Sequence, residues 1–499
     1  LHLWPIILEA RKRGAKLVVV DPIRTRTAAE ADWHIAPKPG SDPALMLAMM
    51  HVIIRDNLVD LDYVDRFANG YEPLKQRAAD YAPESVTQVT GISAEEIERF
   101  ATAYATTAPS MIRPLIGPEH HRNGAMFFRT LACLPILTGA WRHRGGGLSR
   151  STHGLQYSAL NMDRLLMPEV YKSGVRTLNM RDLGVDLCSQ TLSPPIRSLC
   201  VWNVNPVVTI PNQKKVIQGL SREDLFVVAH ELFVTETAKY ADYVLPATSQ
   251  IEHLDIIPAW GHHYLSFNRP AIEPIGESVS NTEFIRRLAR ALGRTEAWLY
   301  ESDEELIRTA LSSGHQALDG ITYERLWEEG YARLNLPRDW KPFETGFPTR
   351  SGKADLWSDT LEKMGMDPLP SLGQMRSASG TQLQLITAKT LHFLNSSYSQ
   401  IELHRRREGG MYVEVHAEDA AQRGFADGKL VRVWNQQGAV IAECRISDRV
   451  RPGVVWMPFG GWGDVLGRPL SVNTLTPEEP TDWGDGSGFY DAFVDIETA

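Results

Sequence analysis

The chain has 499 residues, of which 43% are hydrophobic and 23% are charged, and its formal net charge at pH 7 is −9. This is the composition of a soluble globular protein with room for about three domains. The acidic balance argues against broad nucleic-acid binding, and no apolar stretch approaches the roughly 20 residues of a transmembrane segment.

The cysteines and the N-terminus set two further limits. None of the four cysteines belongs to a C-x-x-C pair, so the sequence shows no framework for zinc or an iron–sulfur cluster, and we expect ordinary thiols. The opening residues contain no methionine and have the pattern of the middle of a helix. We therefore expect the chain to be part of a longer protein.

The first 150 residues alternate between helical and strand patterns. This alternation predicts a doubly wound α/β architecture, with a first domain over residues 1–150 that is incomplete at its N-terminus. The predicted elements, in chain order, are a helix over residues 2–14, a buried parallel strand over 16–20, a helix over 41–56, a helix over 93–107 that begins with a Ser93–Glu96 capping box, and a buried strand over 110–117.

The rest of the chain changes character twice. A second α/β domain is predicted over residues 151–300, with strands at 198–204 and 225–230, and residues 301–380 form a connecting segment. Short strands separated by glycine-containing turns then predict a six- or seven-stranded β-barrel over residues 381–499. Five of its strands are expected at residues 383–388, 411–416, 429–435, 439–446 and 453–459, with a short helix at 417–424.

Two stretches of the chain align without a gap when the sequence is shifted by 210 residues. Residues 17–42 lie over residues 227–252, and six aligned positions are identical. Both copies have the order strand, acid, turn, short threonine-capped helix, Ala-Asp, second strand, acid. The acids are Asp21 and Glu231 after the first strands, and Asp42 and Glu252 at the ends of the two copies.

These acids admit two interpretations. Ligands of open α/β sheets bind at the carboxyl ends of the strands, where a carboxylate can accept hydrogen bonds from a ribose or a base edge. Alternatively, Asp21 and Glu231 are helix caps, as are Thr25 and Thr235. The occurrence of both acids in two copies favours two related nucleotide sites. The turn before the second copy, WNVNPVVTIPN (202–212), can in addition present backbone N–H groups to a phosphate.

The same stretches resemble those of the molybdopterin oxidoreductases of the dimethyl sulfoxide reductase type. This family includes formate dehydrogenases, nitrate reductases, and polysulfide and arsenic oxidoreductases. The resemblance covers essentially the whole chain. Its most specific parts are TETAKYADYVLPA (235–247), followed by an acid, and AEDAAQRGFADG (417–428) in the barrel.

The resemblance implies a catalytic subunit with a molybdenum or tungsten bis(molybdopterin guanine dinucleotide) cofactor and a double-psi-like barrel. The implied reaction is the two-electron oxidoreduction of a small substrate of the formate, nitrate, or sulfur or arsenic oxyanion class. The implied cofactor-binding residues are Asp21, Thr25, Gly40, Ser41 and Asp42 at one guanosine; Asn205, Pro206, Glu231 and Glu252 at the other; and Thr387, His392 and Asn395 in the first loop of the barrel, with Asn473, over the pterins and pyrophosphates.

Two loops hold further candidates. Adjacent histidines such as those in IGPEHHRNG (116–124) are commonly surface residues, but in the family this loop passes close to a pterin, so Gly117 and His121 are candidate cofactor contacts. The glycine-rich segment 142–154 is either a flexible loop or, by analogy with formate dehydrogenases, the site of an arginine that lines the metal pocket. Arg150 is the candidate catalytic residue there.

The sequence departs from the family in two respects. Family members carry an N-terminal cysteine cluster for a [4Fe–4S] centre and a protein ligand to the metal, and neither motif is found in these 499 residues. We therefore expect no metal ligand in this chain and no reductase activity from it alone. The [4Fe–4S] cluster is expected only in a preceding region, and an iron–sulfur electron-transfer subunit is the expected protein partner.

Two other readings of function remain open. A metal-free structural or electron-transfer subunit occurs on the same fold in respiratory NADH dehydrogenases. The presence of the acids and of Asn473 argues against such a loss of the metal cofactor here. A nicotinamide-dependent dehydrogenase would use Asp21 as its ribose carboxylate, but it requires a G-x-G-x-x-G turn before a helix, which this sequence lacks.

Overall fold

The chain folds into two compact units. A computed structural model describes residues 3–170, 174–461, 464, 465, 468, 469 and 471–499. The first unit consists of Leu1–Ser149, Ile210–Lys214 and Lys341–Ala499, and the second of Arg150–Thr209 and Lys215–Trp340. In the described part of the chain, no helix is both long and apolar enough to cross a membrane.

The α/β part of the first unit is built around the helix Asp42–Arg55. Ten of its side chains are buried, because a helix that is apolar on all sides is stable only when neighbours cover it. The helices Pro83–Thr90, Ala94–Thr106 and Gly124–Leu137 pack around it. The other elements are the helices Leu3–Lys12, Arg26–Ala29, Leu61–Phe67 and Tyr71–Ala79, the short 3-10 helices Gly117–His120 and Ala140–Arg142, and the strands Val18–Val20, Trp33–Ile35, Ala68–Asn69, Met111–Ile112 and Gly147–Leu148.

The second unit contains a parallel sheet of the strands Ser198–Trp202, Phe226–Glu231 and Tyr243–Pro246. Its other sheet is antiparallel and consists of Asp255–Pro258, Tyr264–Asn268 and Tyr331–Arg333. The helices are His153–Ala159, Met162–Leu166, Leu183–Cys188, Pro206–Thr209, Asn281–Ala291, Asp303–Leu311 and Tyr323–Glu329, with 3-10 helices at Pro168–Val170, Met180–Asp182, Ala238–Tyr240, Ala297–Tyr300 and Gln316–Leu318. The helix Gln213–Leu220 belongs to this unit from Lys215 onwards.

The C-terminal part of the first unit is a closed barrel of six strands, which confirms the predicted architecture. Around the barrel the strands follow the order Leu383–Lys389, Val454–Phe459, Tyr412–Val415, Ala439–Ile446, Leu430–Trp434 and Ala492–Thr498. Two of the six pairings are parallel and four are antiparallel. The remaining elements are the helices Asp359–Lys363, Glu402–Glu408 and Ala417–Arg423, the 3-10 helix Val472–Thr474, and the strands Ala354–Asp355, Asp464–Val465 and Arg468–Pro469.

The 210-residue repeat is present in the strand pairing of both units. Val18 pairs with Trp33 in the first unit, and Val228 pairs with Tyr243 in the second, so both partners are shifted by the same 210 positions. The sheets are parallel in both cases. The prediction that residues 17–42 and 227–252 are equivalent units is therefore confirmed in register.

Some local predictions are wrong in detail. Residues 110–117 form only the two-residue strand Met111–Ile112, with Met111 53% exposed, because Pro114 has no N–H for a longer ladder. The capping box at Ser93 is half formed. Ser93 Oγ accepts from the Glu96 N–H at 3.2 Å, but the Glu96 carboxylate instead accepts from Trp33 Nε1 at 2.9 Å.

The four-part domain division remains a prediction. The helices Asp303–Leu311 and Tyr323–Glu329 lie in the sequence predicted to connect the α/β domains to the barrel. They contribute buried side chains, among them Ile307 and Leu326, to the core of the second unit. Residues 303–334 therefore pack as part of that unit.

Candidate nucleotide-binding site

Asp21 follows the strand Val18–Val20, at its carboxyl end. Its Oδ1 accepts from the N–H of Ile23 at 2.8 Å, and its backbone oxygen is 2.9 Å from His34 Nε2. These bonds hold the turn but do not cap a helix. Burial, with a smaller effect of Asp42, raises the pKa of Asp21 to about 6, although the hydrogen bond from Ile23 lowers it. The protein thus keeps an acid at a strand end where its ionisation is costly, as expected for a ligand-binding group.

Asp42 is the first residue of the helix Asp42–Arg55, and Ser41 occupies the N-cap position. The Ser41 hydroxyl donates to the Lys38 carbonyl at 2.6 Å and caps no helix N–H. Burial raises the pKa of Asp42, and the nearby His121 opposes that shift. Asp21 and Asp42 therefore lie within electrostatic reach of each other at the start of a central helix, where the helix dipole favours negative charge.

His121 joins this acid pair from the loop before the helix Gly124–Leu137. A Cβ atom on Gly40 would lie only 3.3 Å from Nδ1 of His121, so the imidazole packs directly on this glycine. Gly40 has a φ of +80°, which a side chain would strain. The carbonyl of Gly40 accepts from Asn123 Nδ2 at 2.8 Å. The loop that carries Asp42 is thereby fixed by two residues of one segment.

The threonines serve as local caps, as the alternative interpretation expected. Thr25 Oγ1 accepts from the Ala28 N–H at 3.2 Å, and Thr235 Oγ1 accepts from the Ala238 N–H at 3.2 Å. The two bonds are equivalent under the 210-residue shift. The Thr25 hydroxyl oxygen therefore already accepts one hydrogen bond from its own helix. A nucleotide can contact this hydroxyl only through its hydrogen or its second lone pair.

In the second unit, Glu231 ends the strand Phe226–Glu231, as Asp21 follows the first strand of the repeat. Burial raises the pKa of Glu231, although its Oε1 accepts from the Leu232 N–H at 2.8 Å. Glu252 differs from its counterpart Asp42. Its oxygens accept from Ser249 Oγ at 2.5 Å and the Ile275 N–H at 2.8 Å, and these bonds lower its pKa.

Asn205 lies in the turn just before Pro206, which begins the helix Pro206–Thr209. Its Oδ1 accepts from Thr237 Oγ1 at 2.6 Å, and its Nδ2 donates to Glu236 at 2.8 Å. The Asn205 side chain is 4% exposed and ties this turn to the repeat. The side-chain amide of Asn205 therefore holds the turn in place. A ligand would be bound by the backbone of this turn.

The barrel residues fall into different environments. Thr387 lies within the strand Leu383–Lys389 and pairs with Met457, so its predicted position in the first loop is wrong by a few residues. His392 and Asn395 do lie in that loop. Asn395 is exposed with a φ of 56° in the turn between Leu394 and Ser397, and the His392 N–H donates to Glu408 at 3.3 Å.

Two buried polar groups in the barrel stand out. Thr387 is 3% exposed, and its Oγ1 has no hydrogen-bond partner among the described residues. A buried hydroxyl without a partner is costly unless a ligand or water satisfies it. Asn473 is fully buried, and its Oδ1 accepts from Thr476 Oγ1 at 2.8 Å.

Gly117 and Arg150 are the remaining candidates. Gly117 lies beside Tyr490, because a Cβ atom on it would be 3.8 Å from that ring. Arg150 is exposed and is the first residue of the second unit. Its proposed catalytic role stays a prediction.

Sequence reasoning missed Asp491 and Arg449. Asp491 lies 3.0 Å from His121 Nδ1, and Arg449 exchanges hydrogen bonds with the backbone of Arg24, in the turn after Asp21. Both partners are distant in sequence. Asp491 also precedes a strand, so a rule that selects acids at carboxyl ends would not select it.

The described residues contain no group of three or more histidine, cysteine or acidic side chains that could hold a metal ion. All four cysteines, Cys133, Cys188, Cys200 and Cys444, are free thiols. The expectation that they are ordinary thiols stays a prediction.

Two family models match the sequence. The model described as "Molybdopterin oxidoreductase" matches residues 5–291, and the one described as "Molydopterin dinucleotide binding domain" matches residues 383–493. The first covers the repeat and the acid pair, and the second covers five of the six barrel strands and the start of the sixth.

Known proteins agree with these models. A probable oxidoreductase of Bacillus subtilis (strain 168) is 41% identical over 500 residues, which cover 100% of this chain and 72% of the relative. Formate dehydrogenase H of Escherichia coli (strain K12) is 27% identical over 510 residues, which cover 95% of this chain and 68% of the relative.

The solved structure of acetylene hydratase from Pelobacter acetylenicus has the same fold. Its TM-score is 0.81 at 24% identity, over 99% of this chain and 75% of that chain. The family model over residues 5–291 and the relative at 41% identity together show that this chain belongs to the molybdopterin oxidoreductases of the dimethyl sulfoxide reductase family.

Proposed function

We propose that this oxidoreductase chain binds both guanine nucleotides of a molybdenum or tungsten bis(molybdopterin guanine dinucleotide), one in each unit. The proposed reaction is the two-electron oxidoreduction of a small substrate of the formate, nitrate, or sulfur or arsenic oxyanion class. The observation that carries the proposal is the duplicated strand–acid–strand unit, with the same register in both copies. Two equivalent units suit a cofactor with two equivalent nucleotide ends.

The residues of the first unit fit such a group chemically. A guanine edge offers N–H donors, and carboxylates are acceptors of matching chemistry. Asp21 and Asp42 are partly buried, with raised pKa values, so a ligand that donates to them would relieve the cost of their ionisation. In the barrel, Thr387 Oγ1 is a buried hydroxyl that finds no partner in the described part of the chain.

The division of roles follows from this chemistry. When bound, the metal and its pterins would carry the electron transfer, while the protein supplies binding, orientation and electrostatics. Asp21, Asp42 and His121 would hold the first guanine, and Glu231 with the Asn205–Pro206 turn would hold the second nucleotide. Arg150 would contact the substrate in the metal pocket.

Replacing Asp42 by Asn tests the proposal. Asn retains the size of the side chain, and Ser41 remains the N-cap, so the helix is expected to form normally. The charge-assisted bond to guanine is weakened, which corresponds to a roughly tenfold or larger loss of affinity. We expect acid hydrolysis of the purified variant, expressed from the natural full-length gene, to release less GMP than hydrolysis of the wild-type protein.

The matched control is Asp80→Asn, an exposed acid after the helix Tyr71–Ala79 of the same unit. It should leave the GMP content unchanged. Full GMP content in Asp42→Asn would remove Asp42 from the site. Metal analysis of the same preparations separates the proposal from its alternative, because a structural subunit on this fold would contain neither molybdenum nor tungsten.

A further inference from the structure

His121 and Asp491 form a buried pair beside Asp42. Nδ1 of His121 is 3.0 Å from Oδ1 of Asp491, and the two side chains are 6% and 7% exposed. The other carboxylate oxygen, Oδ2, accepts from the N–H of Arg122 at 2.6 Å. Each oxygen of Asp491 therefore has its own partner, one a ring nitrogen and the other a backbone amide.

This arrangement determines which ring nitrogen of His121 carries the proton. A carboxylate has only acceptors, so the nitrogen that faces it must be the donor. In the uncharged imidazole the proton is then on Nδ1, and Nε2 is an acceptor. No hydrogen bond joins Nε2 to any residue that the structure describes.

The ring is also fixed in place relative to Asp42. It packs on Gly40, where an added Cβ would be 3.3 Å from Nδ1 and 3.4 Å from Cγ. The ring of Tyr490 meets it edge-on, with 5.5 Å between centroids. The backbone N–H of Tyr490 donates to the His120 carbonyl at 3.0 Å, which joins the two segments next to the His121–Asp491 pair.

We propose that Asp491 is a positioning residue that holds His121 in the Nδ1–H tautomer, so that Nε2 accepts an N–H hydrogen of the guanine base bound at Asp42. The inference rests on the proposed function, because it takes the ligand of this cleft to be a guanine nucleotide. A guanine has adjacent N–H donors on one edge, and a carboxylate beside a neutral imidazole nitrogen provides two acceptors for them.

Asp491→Asn reverses the tautomer without changing the shape of the side chain. The amide oxygen is expected at the place of Oδ2, because the Arg122 N–H donates there. The NH₂ group then faces Nδ1 of His121, which has to become the acceptor. Nε2 consequently carries the proton and presents a donor to the donors of guanine.

The test uses the full chain with ¹⁵N-labelled histidine, and His121→Gln identifies the His121 signals. The wild-type spectrum should show the Nδ1–H tautomer, and addition of GMP should shift the Nε2 resonance. In Asp491→Asn the tautomer should switch to Nε2–H. Affinity for GMP, measured by calorimetry, should fall roughly ten- to a hundredfold, the size of one hydrogen bond lost at a buried site.

The control Asp80→Asn should match the wild type in both measurements. An Nε2–H tautomer in the wild type, or a GMP-insensitive Nε2 resonance, overturns the proposal without any need for a variant. Unchanged GMP affinity in Asp491→Asn overturns it as well. If the wild type binds no GMP, the proposed function fails together with this inference; if it binds GMP and only the tautomer result fails, the proposed function stands.

Discussion

At the residue scale, the acids of the two copies have equivalent positions, but their surroundings shift their pKa values in different directions. Burial raises the pKa of Asp21 and of Glu231, whereas hydrogen bonds lower the pKa of Glu252. Sequence reasoning identified these acids from the strand–acid pattern alone. It could not predict that Glu252 would be satisfied by Ser249 and Ile275, because those bonds depend on how a loop folds back.

Asp21→Asn should stabilise the protein at neutral pH while weakening guanine binding. The Asp21 pKa is about 6 in the folded protein and 3.8 ordinarily. A pKa raised by folding means that ionisation disfavours the folded state. The cost is absent below the ordinary pKa, grows as the pH rises towards 6, and is constant above it. Two pKa units correspond to at most about 3 kcal/mol, and partial exposure reduces this to on the order of 1–2 kcal/mol.

The measurement is the melting temperature of the variant minus that of the wild type at two pH values. Asn keeps an oxygen that can accept from the Ile23 N–H, so the turn should persist. We expect the difference to be positive at about pH 8 and smaller at about pH 4.5. A difference that is equal at both pH values would mean that ionisation of Asp21 is not its source.

At the element scale, the elements set by local signals were predicted well, and the pairings set by distant residues were not. Alternation and glycine turns predicted five barrel strands within one or two residues. Their order around the barrel, with parallel pairs such as Leu383–Lys389 and Val454–Phe459, follows from contacts between residues far apart in sequence. The sixth strand, Ala492–Thr498, was not located from the sequence, although a turn at Gly488 precedes it.

The repeated Ala-Asp dipeptide has a structural explanation at this scale. Asp32 Oδ2 accepts from the Leu17 N–H at 2.8 Å, and Asp242 Oδ2 accepts from the Val227 N–H at 2.7 Å. Each aspartate thus accepts from an amide at the start of the strand that precedes it and helps to position that strand. Strand positioning is therefore sufficient to explain the identity of these aspartates between the copies.

Asp242→Ala should therefore reduce stability and leave nucleotide binding intact. Loss of the bond to Val227 is expected to cost about 1 kcal/mol, because the side chain is exposed and water replaces part of the interaction. Asp242→Asn keeps an acceptor and should be milder. Thermal unfolding and GMP binding of both variants check this. A large loss of GMP binding in Asp242→Ala at an unchanged melting temperature would instead assign Asp242 to the site.

At the scale of the whole molecule, the first unit is discontinuous in sequence. Its α/β part ends at Ser149, and its barrel follows only after Lys341. His121 and Asp491, which are 370 positions apart, meet only because the chain returns to this unit. A domain division read along the sequence could not predict that pair, whereas the repeat, which compares distant segments directly, did predict the equivalent acids.

The last prediction concerns the number of nucleotide sites. If each unit holds one guanine nucleotide through its own acid, the full chain should bind two GMP molecules. Asp42→Ala and Glu231→Ala should each weaken one site, since each removes a proposed acceptor of one unit. Residues in separate sites act independently, so the double variant should be weakened at both sites by the same factors as the single variants.

Calorimetric stoichiometry decides between the outcomes, with Asp80→Ala as the control that should retain both sites. Each lost carboxylate is expected to weaken its own site roughly ten- to a hundredfold and to leave the affinity of the other site unchanged. A wild-type chain that binds a single GMP, lost in Asp42→Ala and retained in Glu231→Ala, would contradict a site in the second unit. The equal register of the two copies would then reflect common folding geometry, with ligand binding confined to the unit that contains Asp21, Asp42 and His121.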